Sequence, residues 1–278
     1  MFSNRTLLIV TKHQKEGVIS PLFQKNFNLR SMVSRNFDTD ILGTFSGEVE
    51  RLDDPISTLR KKCLEGMKIE HADLAVANEG SFGPHPQFHF APVDYELAIF
   101  IDKKNQIEIV ASEMSMNTNY NGRFVQSYDD LLNFAQDCKF PSHAVILRKD
   151  QSFKEDIFKG INSEESLSFA YNFLIKKHKT VFAETDMRAM FNPTRMLVIE
   201  KVFEKLIKKI KCCCPKCNSI GFDVIDYKIG LPCGNCGFKT NSILSHTYQC
   251  QKCNYQEEKF YPNGVFYEDP MYCDICNP

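Results

Sequence analysis

Eight cysteines fall into four Cys-x-x-Cys pairs between residues 214 and 278: Cys214/Cys217, Cys233/Cys236, Cys250/Cys253 and Cys273/Cys276. A pair with this spacing folds back on itself, so that both thiolates grip one metal ion from the same side. Each pair is followed by Asn or Gly (Asn218, Gly237, Asn254, Asn277), the residues that accept a positive φ at least cost. The pattern predicts a small tandem zinc-ribbon domain with two structural Zn sites. Pairing the knuckles in chain order leaves 15 and 19 residues between the two knuckles of each site and is the simplest assignment, with interleaved sites as the alternative. Cys212 and Cys213 are then spare.

A chain of 278 residues has room for one substantial domain beside this small one. The pattern changes near residue 211, which gives an α/β ligand-binding or catalytic domain over 1–211 and the ribbons over 212–278. With 34 basic against 35 acidic residues there is no overall attraction to nucleic acid or to an anionic membrane. Within the cysteine-rich part, Lys216, Lys228, Lys239, Lys252 and Lys259 stand against Asp223, Asp226, Glu257, Glu258, Glu268, Asp269 and Asp274. Each four-thiolate zinc site adds roughly two more negative charges. A structural or protein-contacting tail therefore ranks above a nucleic-acid-binding one, although Lys201, Lys205, Lys208, Lys209 and Lys211 form a basic stretch just before it. Apolar runs such as 7–10 and 97–101 have strand length, far below the roughly 20 residues that span a bilayer. Residues 7–10 pass directly into Lys12-His13-Gln14-Lys15, unlike a signal peptide, so the paired cysteines are expected as reduced thiolates in the cytoplasm.

Upstream of the cysteines, apolar runs at 7–11, 32–37, 73–78, 96–102, 107–112 and 143–148 read as strands, several of them apolar enough to be buried on both faces. Residues 13–26, 55–69, 127–138 and 163–178 read as helices, the last two opened by Ser127 and Ser163. A longer helix follows Pro193, with Met196, Ile199, Val202, Phe203, Leu206 and Ile210 at helical spacing. Strands and helices taking turns predict an α/β fold, a mixed sheet flanked by helices.

Several segments carry residues suited to a site. Thr11-Lys12-His13-Gln14-Lys15 joins the first strand to the first helix, where a strand's carboxyl end and a helix's unpaired amides attract anions. Lys12 and Lys15 offer charge to phosphate oxygens there, and Thr11 a hydroxyl. Asp38 and Asp40, with Glu48 in the glycine-rich stretch beyond, supply carboxylates of the kind Mg²⁺ takes, or else an Asx turn and a cap. Residues 78–86 read as a loop with two glycines and with His85 fixed between Pro84 and Pro86. Glu79 is its first candidate for metal ligand or general base, against a purely structural turn. Asn119 suits the reading of a base or sugar, or belongs to a plain connection. Arg188 and Arg195 flank the start of the last helix, and a guanidinium holds phosphate or carboxylate in a fork. His143, opening an apolar strand, reads as a hydrogen-bonded core residue.

The motifs starting at Thr11 (Thr-Lys-His), Phe37 (Phe-Asp-Thr-Asp), Gly43 (Gly-Thr-Phe-Ser-Gly-Glu), Glu79 (Glu-Gly-Ser-Phe-Gly-Pro-His-Pro) and Tyr272 (Tyr-Cys-Asp-Ile-Cys-Asn-Pro) resemble those of an uncharacterised bacterial family over essentially the whole chain. That resemblance implies a domain of unknown function with a double zinc-ribbon tail, and no activity. More distantly, Thr11-Lys-His-x-Lys15, the helix from Pro55 through Arg60 to Lys62, the run from Ala72 to Glu79 and Gly80, and Arg195 resemble, in that order, the house-cleaning nucleoside triphosphate pyrophosphatases of the inosine/xanthosine type. This second resemblance implies that the first loop, including His13, cradles a triphosphate and that Lys62 assists from the next helix. It further implies that Glu79 binds Mg²⁺ and activates water, that Arg195 touches base or phosphate, and that Asp54 matches an acid ahead of the helix. The chain departs from that family at His13, where the family has Asn, and in its Gly83-Pro84-His85-Pro86 extension and its cysteine-rich tail.

Three functions compete on these residues. The first is Mg²⁺-dependent hydrolysis of nucleoside triphosphates or related phosphate esters, the second a module that binds a small phosphorylated ligand without turnover and docks a protein through its ribbons. The third is nucleic-acid binding through the ribbons and the lysine-rich helix, which the acidic tail opposes.

Overall fold

The structure, a computed structural model, describes residues 2, 4–34, 54–152 and 154–278. They form two compact units, Met1–Gln106 with Val110–Leu206, and Ile107–Ile109 with Ile207–Pro278.

The first unit runs β1 (Thr6–Val10), α1 (Glu16–Phe27), β2 (Arg30–Val33), α2 (Pro55–Ile69), β3 (Leu74–Pro84), β4 (Pro92–Asp102), β5 (Ile107–Ser115), β6 (Gly122–Phe124), α3 (Tyr128–Asp137), β7 (Val145–Arg148), β8 (Phe158–Ile161), α4 (Glu164–His178), β9 (Phe182–Thr185) and α5 (Pro193–Lys211). Its main sheet has the order β2-β1-β3-β4-β5, with β1 parallel to both neighbours and β3 antiparallel to β4. Leu7, Leu8, Ile9 and Val10 are all buried, as a central strand covered on both faces requires. On one face α2 sets Leu59, Cys63 and Met67 against Leu8, Val10, Ala75, Ala77, Leu97 and Ile99. Asp54 caps this helix by accepting from the Ile56 and Ser57 amides at 3.1 Å each, with Pro55 in the first turn, so the acid ahead of the helix is a cap. On the opposite face Phe23 of α1 stacks on Phe100 at 6.4 Å and meets Phe203 of α5 edge-on at 6.3 Å.

The sequence pattern predicts a single sheet in this unit, and the structure has a second. The strands β6, β9, β7 and β8 pair antiparallel in that order, over a core of Leu131, Phe134, Val145, Leu147, Leu167, Leu174 and Val181. All four of its strands are three or four residues long, too short for alternation to register. A further difference lies in residues 78–84, which continue β3 to Pro84 instead of forming a loop, in register with residues 92–98 of β4. Gly80 and Gly83 both sit inside a strand, and at Gly80 the glycine marks a close approach and not a turn. Among the described residues no helix is long and apolar enough to cross a membrane.

The second unit is a three-stranded antiparallel sheet, β10 (Asp223–Ile229), β11 (Ile243–Gln249) and β12 (Gln256–Phe260), in that spatial order. Its cysteines form two groups, Cys214/Cys217/Cys250/Cys253 and Cys233/Cys236/Cys273/Cys276, with all sulfurs of a group within 4.8 Å of one another. The expectation of knuckles paired in chain order is thus corrected to interleaved pairing, and the strands explain it. Asp223 at the start of β10 pairs with Gln249 at the end of β11, which carries the knuckle before β10 to the knuckle after β11. The knuckle between those strands lies at the other end of the hairpin, where β12, running back along β11, delivers the last one.

Sulfur separations of 3.7 Å (Cys214–Cys253), 3.5 Å (Cys217–Cys250), 3.8 Å (Cys233–Cys276) and 3.6 Å (Cys236–Cys273) match the roughly 3.8 Å edge of a tetrahedron with zinc–sulfur bonds of about 2.3 Å. Asn218, Gly237 and Asn254 do take positive φ, and each returns its amide to the carbonyl of the knuckle's first cysteine. Asn277 makes the same bond at 2.8 Å and is not among the positive-φ residues. These two four-cysteine groups fit a double zinc-ribbon tail. Interleaving has a direct test in the paired substitution Cys214→Ser with Cys250→Ser. Metal analysis of the purified protein should show one equivalent lost and one kept, whereas pairing in chain order would cost both.

Candidate functional site

β1 ends at Val10, opposite Ala77 of β3, while β3 runs on for another seven residues. Its neighbours β2 and β3 lie on opposite sides, reached through α1 on one face and α2 on the other, so the carboxyl end of β1 is a topological switch point. Such an edge gathers helix N-termini, and here it also gathers buried charge. Lys15 precedes α1 and is buried. Just before it, His13 (φ 67°) and Gln14 (φ 59°) hold two successive left-handed conformations without glycine, a strained turn of the kind that aims backbone amides at an anion.

The alternation of β3 sends Asn78 to the α1 side and Glu79 to the α2 side. Lys15 Nζ donates to Asn78 Oδ1 at 2.7 Å, and Asn78 Nδ2 donates to Glu96 Oε2 at 2.7 Å. Glu96 Oε1 accepts from Arg195 Nε at 2.7 Å, completing a line from the first helix to the last through the middle of the sheet. Glu96 has no exposed surface and Arg195 has 4%. Gly80 makes that pair possible: a Cβ there would collide with both Arg195 Nη2 and the Glu96 carboxyl. The Arg195 guanidinium also lies 5.0 Å over the Phe82 ring and donates to the Met187 carbonyl. Across the sheet, Lys62 of α2 is in contact with Glu79, and both are buried.

One member of the cluster is unsatisfied. Asp94 sits two residues from Glu96 on the same face of β4, is 1% exposed, and has no hydrogen-bond partner at either oxygen. Burial pushes its carboxyl up to about 8, and the adjacent Glu96 pushes the same way against the pull of Arg195 and Lys15. Burial likewise brings Lys15 down to about 8, helped by Arg195 and opposed by Glu96 and Glu79. With Asp94 neutral, the cations Lys15, Lys62 and Arg195 outnumber the carboxylates Glu79 and Glu96, a balance that favours an anion.

The other residues singled out from sequence are placed as follows. Thr11 Oγ1 donates to the Lys12 carbonyl at 2.9 Å, in the same turn as Lys12 and His13. His85 does not join the cluster: its Nδ1 accepts from the Gln87 and Phe88 amides at 3.1 Å each and holds the turn between β3 and β4. Arg188 is not a free clamp, since Asp186 grips it at 3.0 Å and 2.6 Å and it stacks 4.6 Å over Phe191. Asn119 supports instead of reading a ligand: it donates to the Cys138 carbonyl and accepts from Asn192 Nδ2 at 2.8 Å. Asn192, missed from sequence, accepts from the Arg195 amide at 3.0 Å and so sets the start of α5. Asp38, Asp40 and Glu48 lie outside the described residues. The described carboxylates do not form a ready Mg²⁺ site, because Glu79 and Glu96 each already hold a cation and the groups of three or more clustered ligands among the described residues are the two cysteine sets. His143 is a hydrogen-bonded core residue, accepting at Nε2 from the Thr194 amide.

An α/β unit with a buried, cation-rich cluster at its switch point, followed by a double four-cysteine ribbon, is the class of protein these features define. The chain belongs to the family described as Domain of unknown function (DUF6671), whose model matches residues 62–278. The matched range takes in Lys62, Glu79, Asp94, Glu96, Arg195 and all eight knuckle cysteines. No curated protein and no solved structure matches the chain.

Two outcomes test the cluster. Gly80→Ala should cost about 3 kcal/mol of stability, the scale of breaking a buried ion pair, measured by urea unfolding. The raised Asp94 means that the folded protein holds a proton the unfolded chain has lost between about pH 4 and pH 8. Stability from this group therefore falls as pH rises through that window, by at most about 1.4 kcal/mol per pH unit. Asp94→Asn should flatten the fall and be the more stable protein at pH 8; equal slopes in variant and wild type would refute the assignment.

Proposed function

We propose that the α/β unit binds a small phosphorylated molecule of nucleoside triphosphate type at the carboxyl ends of β1 and β3 and hydrolyses it. The observation that carries this reading is the convergence of buried Lys15, Lys62 and Arg195 on an edge that also presents the strained turn ahead of α1. Phosphate oxygens that take Lys62 release Glu79, which then accepts a proton from attacking water. Lys15 and Arg195 neutralise charge as the bridging bond breaks. Mg²⁺, if it enters on the polyphosphate, supplies further neutralisation, with Asp38 and Asp40 as its sequence candidates. The eight knuckle cysteines hold two structural zinc ions, which suits a reducing compartment such as the cytoplasm. Exposed Tyr227, Ile229, Phe266, Tyr267 and Tyr272 and the acidic balance of residues 214–278 favour a protein partner over nucleic acid there.

A binding module without turnover is the second reading, and the neutralised state of the carboxylates favours it: Glu79 rests on Lys62 and Glu96 on Arg195. The two separate in one assay. Zinc-loaded protein is incubated with standard and deaminated nucleoside triphosphates, with Mg²⁺ or with chelator, and release of phosphate and pyrophosphate is followed. Hydrolysis predicts turnover that drops about 10²- to 10⁴-fold in Glu79→Gln. Binding that survives Glu79→Gln with no turnover on any nucleotide would establish the second reading instead.

A further inference from the structure

Beyond the end of β1, β3 continues paired with β4 as a ribbon, with β5 on the far side of β4, from Asn78 opposite Ala98 to Pro84 opposite Pro92. Side chains alternate across it, so Glu79, Ser81 and Gly83 share one face with their partners Leu97, Tyr95 and Val93. At the base of that face is the Glu79–Lys62 pair. Farther out on the same ribbon lies a groove of about 410 Å³, lined by Ser81, Gly83, Pro84, Val93, Tyr95 and Met114 among others. Its lining is aromatic and aliphatic, and its floor is open at Gly83, where an added Cβ would meet nothing within 4 Å.

We propose that this groove receives the planar ring of the same phosphorylated ligand, so that the base of a nucleotide-like molecule stacks on Tyr95 while its phosphates sit at Lys62. The inference rests on the phosphate reading of the cluster and adds where the ring of that ligand binds. Three observations support it. The groove and the Glu79–Lys62 pair lie on one face of one ribbon, so a single ligand reaches both without crossing the sheet. Strand geometry, at about 3.3 Å per residue, puts Ser81 about 7 Å and Gly83 about 13 Å from Glu79, the span between a phosphate and a base in a nucleotide. A tyrosine ring and a methionine thioether are favourable walls for a flat heteroaromatic ring, and stacking tolerates any base. Glycine at position 83 is then explained by the room it leaves, since its φ is not positive and a side chain would cause no backbone strain.

Calorimetric titration of the full chain with inorganic tripolyphosphate and with non-hydrolysable nucleoside triphosphates tests the proposal. Wild type should bind the nucleotides at least tenfold more tightly than tripolyphosphate. Gly83→Leu, which fills the groove, and Tyr95→Ala, which removes a wall, should each erase that advantage while leaving the tripolyphosphate Kd within about twofold. Nucleotides that bind no better than tripolyphosphate, or an advantage that survives both substitutions, would overturn the groove assignment and leave the phosphate site standing. Absence of tripolyphosphate binding to wild type would remove the phosphate site and the groove assignment together.

Discussion

Glu96 is a carboxylate with no exposed surface in the middle of a sheet, and much of the first unit is arranged to make that tolerable. An uncompensated charge at such depth costs several kcal/mol, so the pair with Arg195 must be held in good geometry and its remaining lone pairs satisfied. Asn78 satisfies one oxygen, Gly80 gives up its side chain to let the guanidinium in, and Asn192, itself fixed by Asn119, sets the turn of α5 from which Arg195 reaches. The interaction joins residues 99 positions apart and fastens the start of the last helix to the main sheet. Residues as separate as Asn119 and Gly80 thus serve one buried charge.

This chain of dependence explains what the sequence made legible. Local signals sufficed for the helices: Asp54 and Pro55 begin α2, and Ser127 and Ser163 begin α3 and α4, because a cap is a contact between near neighbours. Lys15 and Arg195 stand out as charges at helix starts, whereas Lys62 lies mid-helix in α2 and Glu79 mid-strand in β3, and the fold brings the four together. Asp94 and Glu96 do not stand out, although two acids spaced by two in an otherwise apolar strand are a readable sign of paired buried carboxyls. His85 and Arg188 draw attention by residue type, but their partners, two amides and Asp186, are close in sequence and make them structural. The run Glu79-Gly-Ser-Phe-Gly-Pro reads as a loop because glycine and proline usually mark one. Here the glycines clear space for Arg195 and leave the groove floor open, and the partner strand that keeps the segment extended is invisible locally.

The knuckles make the same point at smaller scale. Chain proximity favours joining neighbouring knuckles, since closing a short loop loses less entropy, yet each doubling of loop length costs only about 0.6 kcal/mol. A sheet with paired strands outweighs that difference. Once β10 and β11 form an antiparallel hairpin, the first and third knuckles are at one end and the second and fourth at the other. The order of metal ligands follows from strand pairing, and packing of Phe222 against Tyr248 and Tyr255 beside Cys214 and Cys250 reinforces one of the two ends.

The cluster at the switch point is built at the expense of stability, and that is the strongest physical reason to treat it as more than scaffold. A fold needing only a packed sheet would not bury Asp94 without a partner, strip water from Lys15, and hold His13 and Gln14 left-handed within a few residues of Lys15. An anion bound as proposed would compensate the surplus positive charge and restore Lys15 toward its charged form. Bound phosphate and folded protein would therefore stabilise one another, and Lys15's share of that gain is fully present below about pH 8 and falls as pH rises through that value, where Lys15 on its own loses its proton.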